Sequence, residues 1–489
     1  MTQAQMHDAP ASAGFRAGPI LVSRGCSGGV HRVDAIVARP SAEPAPSLTL
    51  DGHGALEAKH LKDLFDTSVW RFSLDLPVNA PVAYALDGES FRIMPPGPVD
   101  ARIAYVSCNG QESGDMDRPL EERDAMWDRL AAEHAVAPFA LIMEGGDQLY
   151  ADDVLRCHPE IVQWNTLPDE ERGTMVLSEA AQDAIRLFYL ERYCLTYSRP
   201  AMRRLSAEVP GAMMWDDHDI IDGWGSHPAP LLDGPVGRGL FEAAREIFLL
   251  FQLGATEDDL PAAMPDRTGE GLGYALRYPG YSIVVPDLRS ERRLERVLGP
   301  KGWAGLERML AETPRGDRIF LMSSVPVMGP RLSWLEFVAD WVGPARKYED
   351  DLRDQWQSRA HRKEWVRLLK LLADHQESGA GPITIVSGEI HLATRGEMRL
   401  RDGTHLHQLV SSGIAHRAPP KAYAVVLTML ARLGESPLPK RKIRLHRLPS
   451  IKTIYVEERN FMTLSRSGRD WSAEWELEDQ GRTPPLPLQ

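Results

Sequence analysis

Cysteine is scarce in this chain: Cys26, Cys108, Cys157 and Cys194 are the only four among 489 residues, at irregular spacings. That excludes a disulfide framework and a CxxC zinc module. Long apolar runs are missing as well. No stretch reaches the roughly eighteen consecutive apolar residues that a membrane-spanning helix needs. Met1 to Pro19 has neither an apolar core nor a twin arginine, so a cytoplasmic location is the expectation. Cations are outnumbered, with 56 Lys and Arg against 69 Asp and Glu, for a formal charge of −13. A chain of that sign repels nucleic acid and anionic membranes as a whole. It still accepts a small anionic substrate where a metal ion reverses the sign locally. Internal repeats and low-complexity tracts are absent, which excludes solenoids and arrays. What is present is an ordinary globular balance, 43% hydrophobic and 26% charged, and a length that suits more than one domain.

In chain order, residues 1–16 read as a disordered tail. Residues 17–95 read as a small β-rich N-terminal domain. Trp70, Phe72, Leu74 and Leu76 fall on one face at period two, and Asp87-Gly88 between Val82–Leu86 and Phe91–Ile93 is a hairpin signal. Met94 to Pro98 reads as the linker that closes this domain. Residues 101–489 then read as an α/β domain. A strand over Ala101–Val106, a helix over Arg123–Ala135 with Met126, Leu130 and His134 along one side, and a strand over Phe139–Met143 make a βαβ unit. Val176–Leu205 is helical, with Leu187, Leu190, Tyr193, Cys194 and Tyr197 on its buried side. Further short strands are predicted at Val209–Trp215, Tyr281–Val285, Ile319–Met322 and Ile383–Val386. Helices are predicted at Leu240–Leu253 and His361–His375, and a hairpin closes the chain around Ser465–Arg469. The run Lys440-Arg441-Lys442 reads as solvated surface.

Each predicted strand runs into polar or ionisable residues. Behind Leu141-Ile142-Met143 come two glycines, Gly145 and Gly146, which permit a sharp turn and close approach, and then Asp147, Tyr150, Asp152 and Asp153. Ligands in α/β sheets lie beyond the carboxyl ends of strands. Four such ends carry metal-binding chemistry: Cys108, Asp147 with Tyr150, Asp217 with His218, and Glu389 with His391. Separated in sequence, they converge if the strands share an edge.

The same residues carry a resemblance. Ser107-Cys108, Gly146-Asp147-Gln148-Leu149-Tyr150, Trp215-Asp216-Asp217-His218-Asp219, Asp287-Leu288-Arg289-Ser290 and Ser387-Gly388-Glu389-Ile390-His391 together resemble the PhoD-type alkaline phosphatases and phosphodiesterases. These are a branch of the calcineurin-like metallophosphoesterases, and the likeness runs over about residues 101–415. It implies a four-layer αββα sandwich with a binuclear metal site at the strand ends. Carried over by position, Cys108, Asp147, Tyr150 and His391 would hold one metal, typically ferric iron, with Asp147 bridging to a second. Thiolate and phenolate suit such an ion, whereas calcium and magnesium prefer oxygen donors. Asp217 and Glu389 would face the second metal, taken as calcium. Glu389 departs from the usual aspartate and reaches one methylene further. His218 would contact the phosphate or protonate the leaving oxygen, Asp219 would orient its imidazole, and Arg289 and Arg292 would hold phosphate bidentately. Asp152, Asp153 and Asp354-Gln355-Trp356 would border the pocket.

The function implied is hydrolysis of small phosphomonoesters or diesters by a metal-activated water. Two alternatives stand beside it: a phosphodiesterase or phospholipase-like enzyme with little monoesterase activity, and a binding protein of the same fold that has lost catalysis. A third reading takes Cys108 as the nucleophile of a thiol hydrolase, although Ser107-Cys108-Asn109-Gly110 lacks the arginine-rich loop of cysteine phosphatases.

Overall fold

The computed structural model describes residues 14–78, 80–330, 354–432 and 434–488. Most of the expected disordered tail, residues 1–13, lies outside them. The fold is mixed α/β with three sheets of eleven, eight and four strands.

The strands that matter here are short, largely buried and parallel to their neighbours named below. In the large sheet, Asp100–Val106, Leu141–Gly145 and Gly211–Met214 are adjacent, with Leu141 opposite Ile103 and Gly145 opposite Met214. In the eight-stranded sheet, Tyr281–Val285, Arg318–Ser323, Ile383–Ser387 and His405–Val410 are parallel neighbours in that order. Runs such as Leu-Ile-Met and Ile-Thr-Ile-Val are apolar on both faces because both faces are covered. Helices Ala125–Val136, Glu179–Tyr197, Pro200–Glu208 and Pro235–Gln252 pack on the large sheet, and Pro300–Ala311 and Arg362–Glu377 on the eight-stranded one. Side chains of both sheets, among them Ile103, Leu141, Ile283 and Phe320, belong to one continuous core.

The N-terminal region is β-rich as expected, and the Asp87-Gly88 turn joins Val82–Leu86 to Glu89–Ile93 with both turn residues at positive φ. Its main strands, however, do not form a separate sheet. Ala17–Ser27 pairs in parallel with Gly211–Met214 through Val22 and Gly211, so Ala17–Ser27, Val30–Pro40, Lys59–Leu64 and Thr67–Pro77 extend the large sheet. What is its own is a small four-stranded sheet and a satellite core that includes Leu48, Phe72, Tyr84 and Ile93. Period-two patterning identifies a strand but not its partner, hence the difference.

Three further expectations need correction. The helical stretch 176–205 is two helices that break at Pro200, where the ring removes a backbone donor. Leu187 is 37% exposed, off the buried stripe of Tyr189, Leu190, Tyr193, Cys194 and Tyr197. Arg441, read as surface, is buried and pairs with Glu377 at 2.5 Å. The C-terminal hairpin forms as predicted, Asn460–Ser467 against Asp470–Leu477.

Candidate metal centre

The polar ends of the two large sheets meet. Ser107 Oγ donates to the Ser411 carbonyl at 3.1 Å, Ser324 Oγ donates to Asp216 at 2.7 Å, and Trp215 Nε1 donates to Asp287 at 2.9 Å. Each bond joins a strand end of one sheet to a strand end of the other. Gly146 makes the close approach possible. Its φ is +99°, and a Cβ there would lie 2.8 Å from Asp216 Cβ and 3.2 Å from Ser324 Cβ. A side chain there would crowd Asp216 on the neighbouring strand end and press on Ser324 of the other sheet.

Around that junction the ligand-type residues gather. One ligand atom each from Cys108, Asp147 and His391 lies within 4.8 Å of the others, and so it is for Asp147, Asp216 and Asp217. Asp147 belongs to both groups. Tyr150 joins the first through its hydroxyl, 3.0 Å from His391 Nε2. Cys108, Asp147, Glu389 and His391 all have left-handed backbone, with φ between 54° and 62°. For residues other than glycine this costs about 1–3 kcal/mol each and recurs where a site dictates the geometry.

The electrostatics call for a cation. Asp147 Oδ1 and Asp216 Oδ2 are buried without a hydrogen-bond partner. Burial, then the neighbouring Asp216 and Asp217, hold the Asp147 carboxyl well above the usual carboxylate range. Burial and Asp147 push the Cys108 thiol up, and burial pushes up the Tyr150 phenol. Burial and His416 hold His391 well below its ordinary value, so the ring is neutral and free to ligate. Acids crowded without solvent are stable as anions only with compensating positive charge. The donor set of thiol, phenol, imidazole and carboxylate therefore fits a metal ion. It fits a thiol nucleophile poorly, because burial and the Asp147 carboxylate, whose Oδ2 lies 3.4 Å from Sγ, disfavour the thiolate that would have to attack.

Glu389 stands apart from these groups. Both its oxygens accept from Gln355 Nε2, at 2.9 and 2.7 Å, and it lines the same cavity. Asp216 takes the place beside Asp147 and Asp217 that was expected of Glu389.

His218 lines the cavity and stacks on Tyr150 with ring centroids 4.3 Å apart. Its orienting acid is Asp152, not Asp219. Asp152 Oδ2 lies 2.9 Å from Nδ1, and Oδ1 accepts from the Asp222 amide at 2.7 Å. Burial disfavours the imidazolium, but Asp152 and Asp217 outweigh it and raise the His218 pKa well above its ordinary value. Asp219 instead accepts from the backbone amides of Asp147, Leu149 and Asp216 at 2.8, 3.0 and 2.8 Å, which fixes the loop that carries the ligands. Asp153 pairs with Arg192 at 3.1 Å.

The two arginines are also placed differently from expectation. Arg289 is fully buried, bonded to Asp216, to Asp217 at 3.2 Å and to Asp354 at 2.8 Å. Arg292 is equally buried and bonds Asp354 through its carbonyl and carboxylate. Neither lines the cavity; both hold acids. The cavity, about 540 Å³, is lined by acids and histidines and also by apolar side chains, among them Met328, Ile390, Tyr423, Leu427 and Tyr455. Among the described lining residues the arginine is Arg417, exposed and paired with Glu122 at 3.3 Å.

Sequence pattern does not mark His416 or Ser412 as part of the site. The His416 ring lies on His391 with centroids 3.3 Å apart, and Ser412 Oγ accepts from the His391 amide at 2.9 Å. Both follow His405–Val410, a strand hidden in sequence by the histidines and glutamine that interrupt its apolar pattern.

Comparison with known proteins agrees with this architecture. Residues 114–349 match the family model of PhoD-related phosphatases. Among solved structures, PhoD superposes with a TM-score of 0.56 at 11% identity, covering 98% of this chain and 91% of its own. The purple acid phosphatase PPD1 from yellow lupin (Lupinus luteus) seeds gives 0.54 at 11% identity, covering 96% and 74%. A Saccharomyces cerevisiae protein, YGR266W, described as uncharacterized, is 26% identical over 422 residues, 72% of this chain and 59% of the relative. The chain thus spans about three-fifths of that relative's length. The fold is like that of PhoD and of the lupin phosphatase, and residues 114–349 are similar to the PhoD-related phosphatases.

Proposed function

We propose that this protein is a metal-dependent phosphoesterase with a binuclear centre, acting on a small phosphorylated substrate. The observation that carries the reading is Asp147, shared by two ligand groups at the junction of two sheets. Cys108, Asp147, Tyr150 and His391 would hold one metal, ferric iron by the anionic charge that thiolate, phenolate and carboxylate together bring to a highly charged ion. Asp147, Asp216 and Asp217 would hold the second, an oxygen-liganded divalent ion such as calcium, with Glu389 as a further carboxylate lining the same cavity. When bound, such a pair supplies a water of lowered pKa and fixed positive charge for the phosphoryl oxygens. An αββα layering of the two large sheets belongs to the same reading.

The chain's own residues do the rest. Asp152 holds the His218 ring through Nδ1 and stabilises its protonated form, leaving Nε2 as the donor for the departing oxygen. Arg417, exposed beside the cavity and held by Glu122, is the guanidinium among the described lining residues that an anionic ester would meet. Arg289 bonds both Asp216 and Asp217 and offsets their mutual repulsion. The apolar lining favours a diester, because it offers a surface for a second organic group that a monoester does not possess.

Metal analysis and colour of the purified protein test the centre, together with turnover of nitrophenyl phosphate and bis(nitrophenyl) phosphate. Iron with a visible charge-transfer band, turnover of either ester, and a loss on the order of a thousandfold in Asp147→Ala and His391→Ala are expected. A colourless, metal-free and active protein would sink the proposal.

A further inference from the structure

The wall of the cavity formed by Tyr423 and Leu427 belongs to a helix, Lys421–Ala431, that is apolar on both sides. One side is accounted for. Ala424, Leu427 and Ala431 pack with Leu392, Leu445 and Tyr455 in a cluster separate from the main core, and Leu392 directly follows His391. The other side is not. Val425, Val426 and Met429 are 50%, 44% and 62% exposed, and with Ala422 they make one contiguous stripe at helical spacing. Among the described residues no other helix presents three large exposed apolar side chains. A helix that is apolar all round is normally buried, so this stripe has a partner.

Charge identifies the partner. Lys421 and Arg432, both exposed, bracket the stripe at its two ends. From Arg417 to Lys452 the only acid is Glu435, buried and bonded to Arg362, while Lys442, Arg444 and Arg447 are exposed. In a chain of net charge −13 this stretch is basic. A second copy would bring the same cations against these, which is repulsive. An apolar helical stripe between cations has the composition of an interfacial helix on an anionic bilayer.

We propose that the exposed face of Lys421–Ala431 docks on an anionic lipid surface and turns the mouth of the cavity toward it. The chain's overall charge opposes membrane binding at long range, but screening over a Debye length leaves the local patch to decide at contact. Docking brings phosphate esters of the interface within reach of the cavity, and in that part the inference rests on the phosphoesterase reading. Binding itself does not.

Vesicle co-sedimentation of the full chain at moderate salt tests it. Vesicles of phosphatidylcholine alone are compared with vesicles in which about one third is phosphatidylserine. The expected result is capture by the anionic vesicles at least about tenfold above the neutral ones, weakened by salt. Val426→Asp with Met429→Asp, and separately Lys421→Glu with Arg432→Glu, should each reduce capture by about tenfold or more, while turnover of soluble nitrophenyl esters is unchanged. Circular dichroism melting checks that each variant folds, and the charge pair stays informative if the apolar pair does not. No capture of wild type by anionic vesicles overturns the proposal, as does capture that both pairs leave intact. Self-association in solution that Met429→Asp abolishes would assign the stripe to a second copy and also overturn it. Vesicle capture without any esterase activity would uphold the docking and reject the phosphoesterase reading.

Discussion

Two aspartates exchange the roles that proximity in sequence suggests. Asp219 adjoins His218, yet its carboxylate serves three backbone amides; Asp152 lies 66 positions away and holds the imidazole. The two substitutions should therefore fail differently. Asp152→Asn is expected to lower kcat about 10- to 100-fold with the melting temperature nearly unchanged. Asp219→Asn puts an amide nitrogen among donors and should cost about 1–3 kcal/mol of stability, read by chemical denaturation. Equal losses of activity with no difference in stability would restore Asp219 as the orienting acid. The four left-handed residues belong to this scale too: Cys108, Asp147, Glu389 and His391 all take up this costly conformation at the strand ends that form the site.

Among the elements, the strand Leu141–Gly145 does two jobs, since its end aims Asp147 and its body carries a buried acid. Glu144 is fully enclosed, with the Tyr197 hydroxyl donating to it at 3.2 Å, and burial pushes its pKa up to about 8. An unfolded glutamate titrates near 4.3, so between roughly pH 4 and 8 the unfolded chain releases a proton that the folded chain keeps. Stability therefore falls as pH rises through that window and levels off above it. Glu144→Gln should abolish this slope. Its gain over wild type should be negligible near pH 4 and grow to a few kcal/mol at most by pH 8, as measured by denaturant midpoints. A constant difference across pH would refute the assignment. The elements themselves were largely legible, because a short apolar run that ends in glycine or an acid fits a buried strand and little else; Tyr281–Val285 matches its expected bounds. His405–Val410 was not, since its inward positions are filled by Gln408 and its flank by His407, which make sense only once Gln408 is seen bonding the Met328 backbone.

For the whole molecule, the centre sits at a seam. Acids from both sheets meet there, and Arg289 and Arg292 neutralise only part of that charge. Bound metal should therefore stabilise the protein as well as activate it. Removing it with a strong chelator is expected to lower the melting temperature by several degrees, about 3–8 °C, and re-addition should restore it. Asp147→Asn should melt low and respond to neither. A wild-type melting curve indifferent to chelation would argue against metal at the seam.

By itself the sequence determined the class of element at each site-bearing position and the chemical kind of each strand end. Those are local properties: apolar runs make buried strands, glycines permit tight turns, and Cys, Tyr, His and Asp have fixed donor atoms. Tertiary structure alone decided the partnerships. It joined the N-terminal strands to the large sheet, turned Arg289 and Arg292 inward, gave His218 to Asp152, and set Asp216 beside Asp147 while Gln355 took Glu389. Such pairings depend on distances across the seam between two sheets, and no spacing along one chain encodes them.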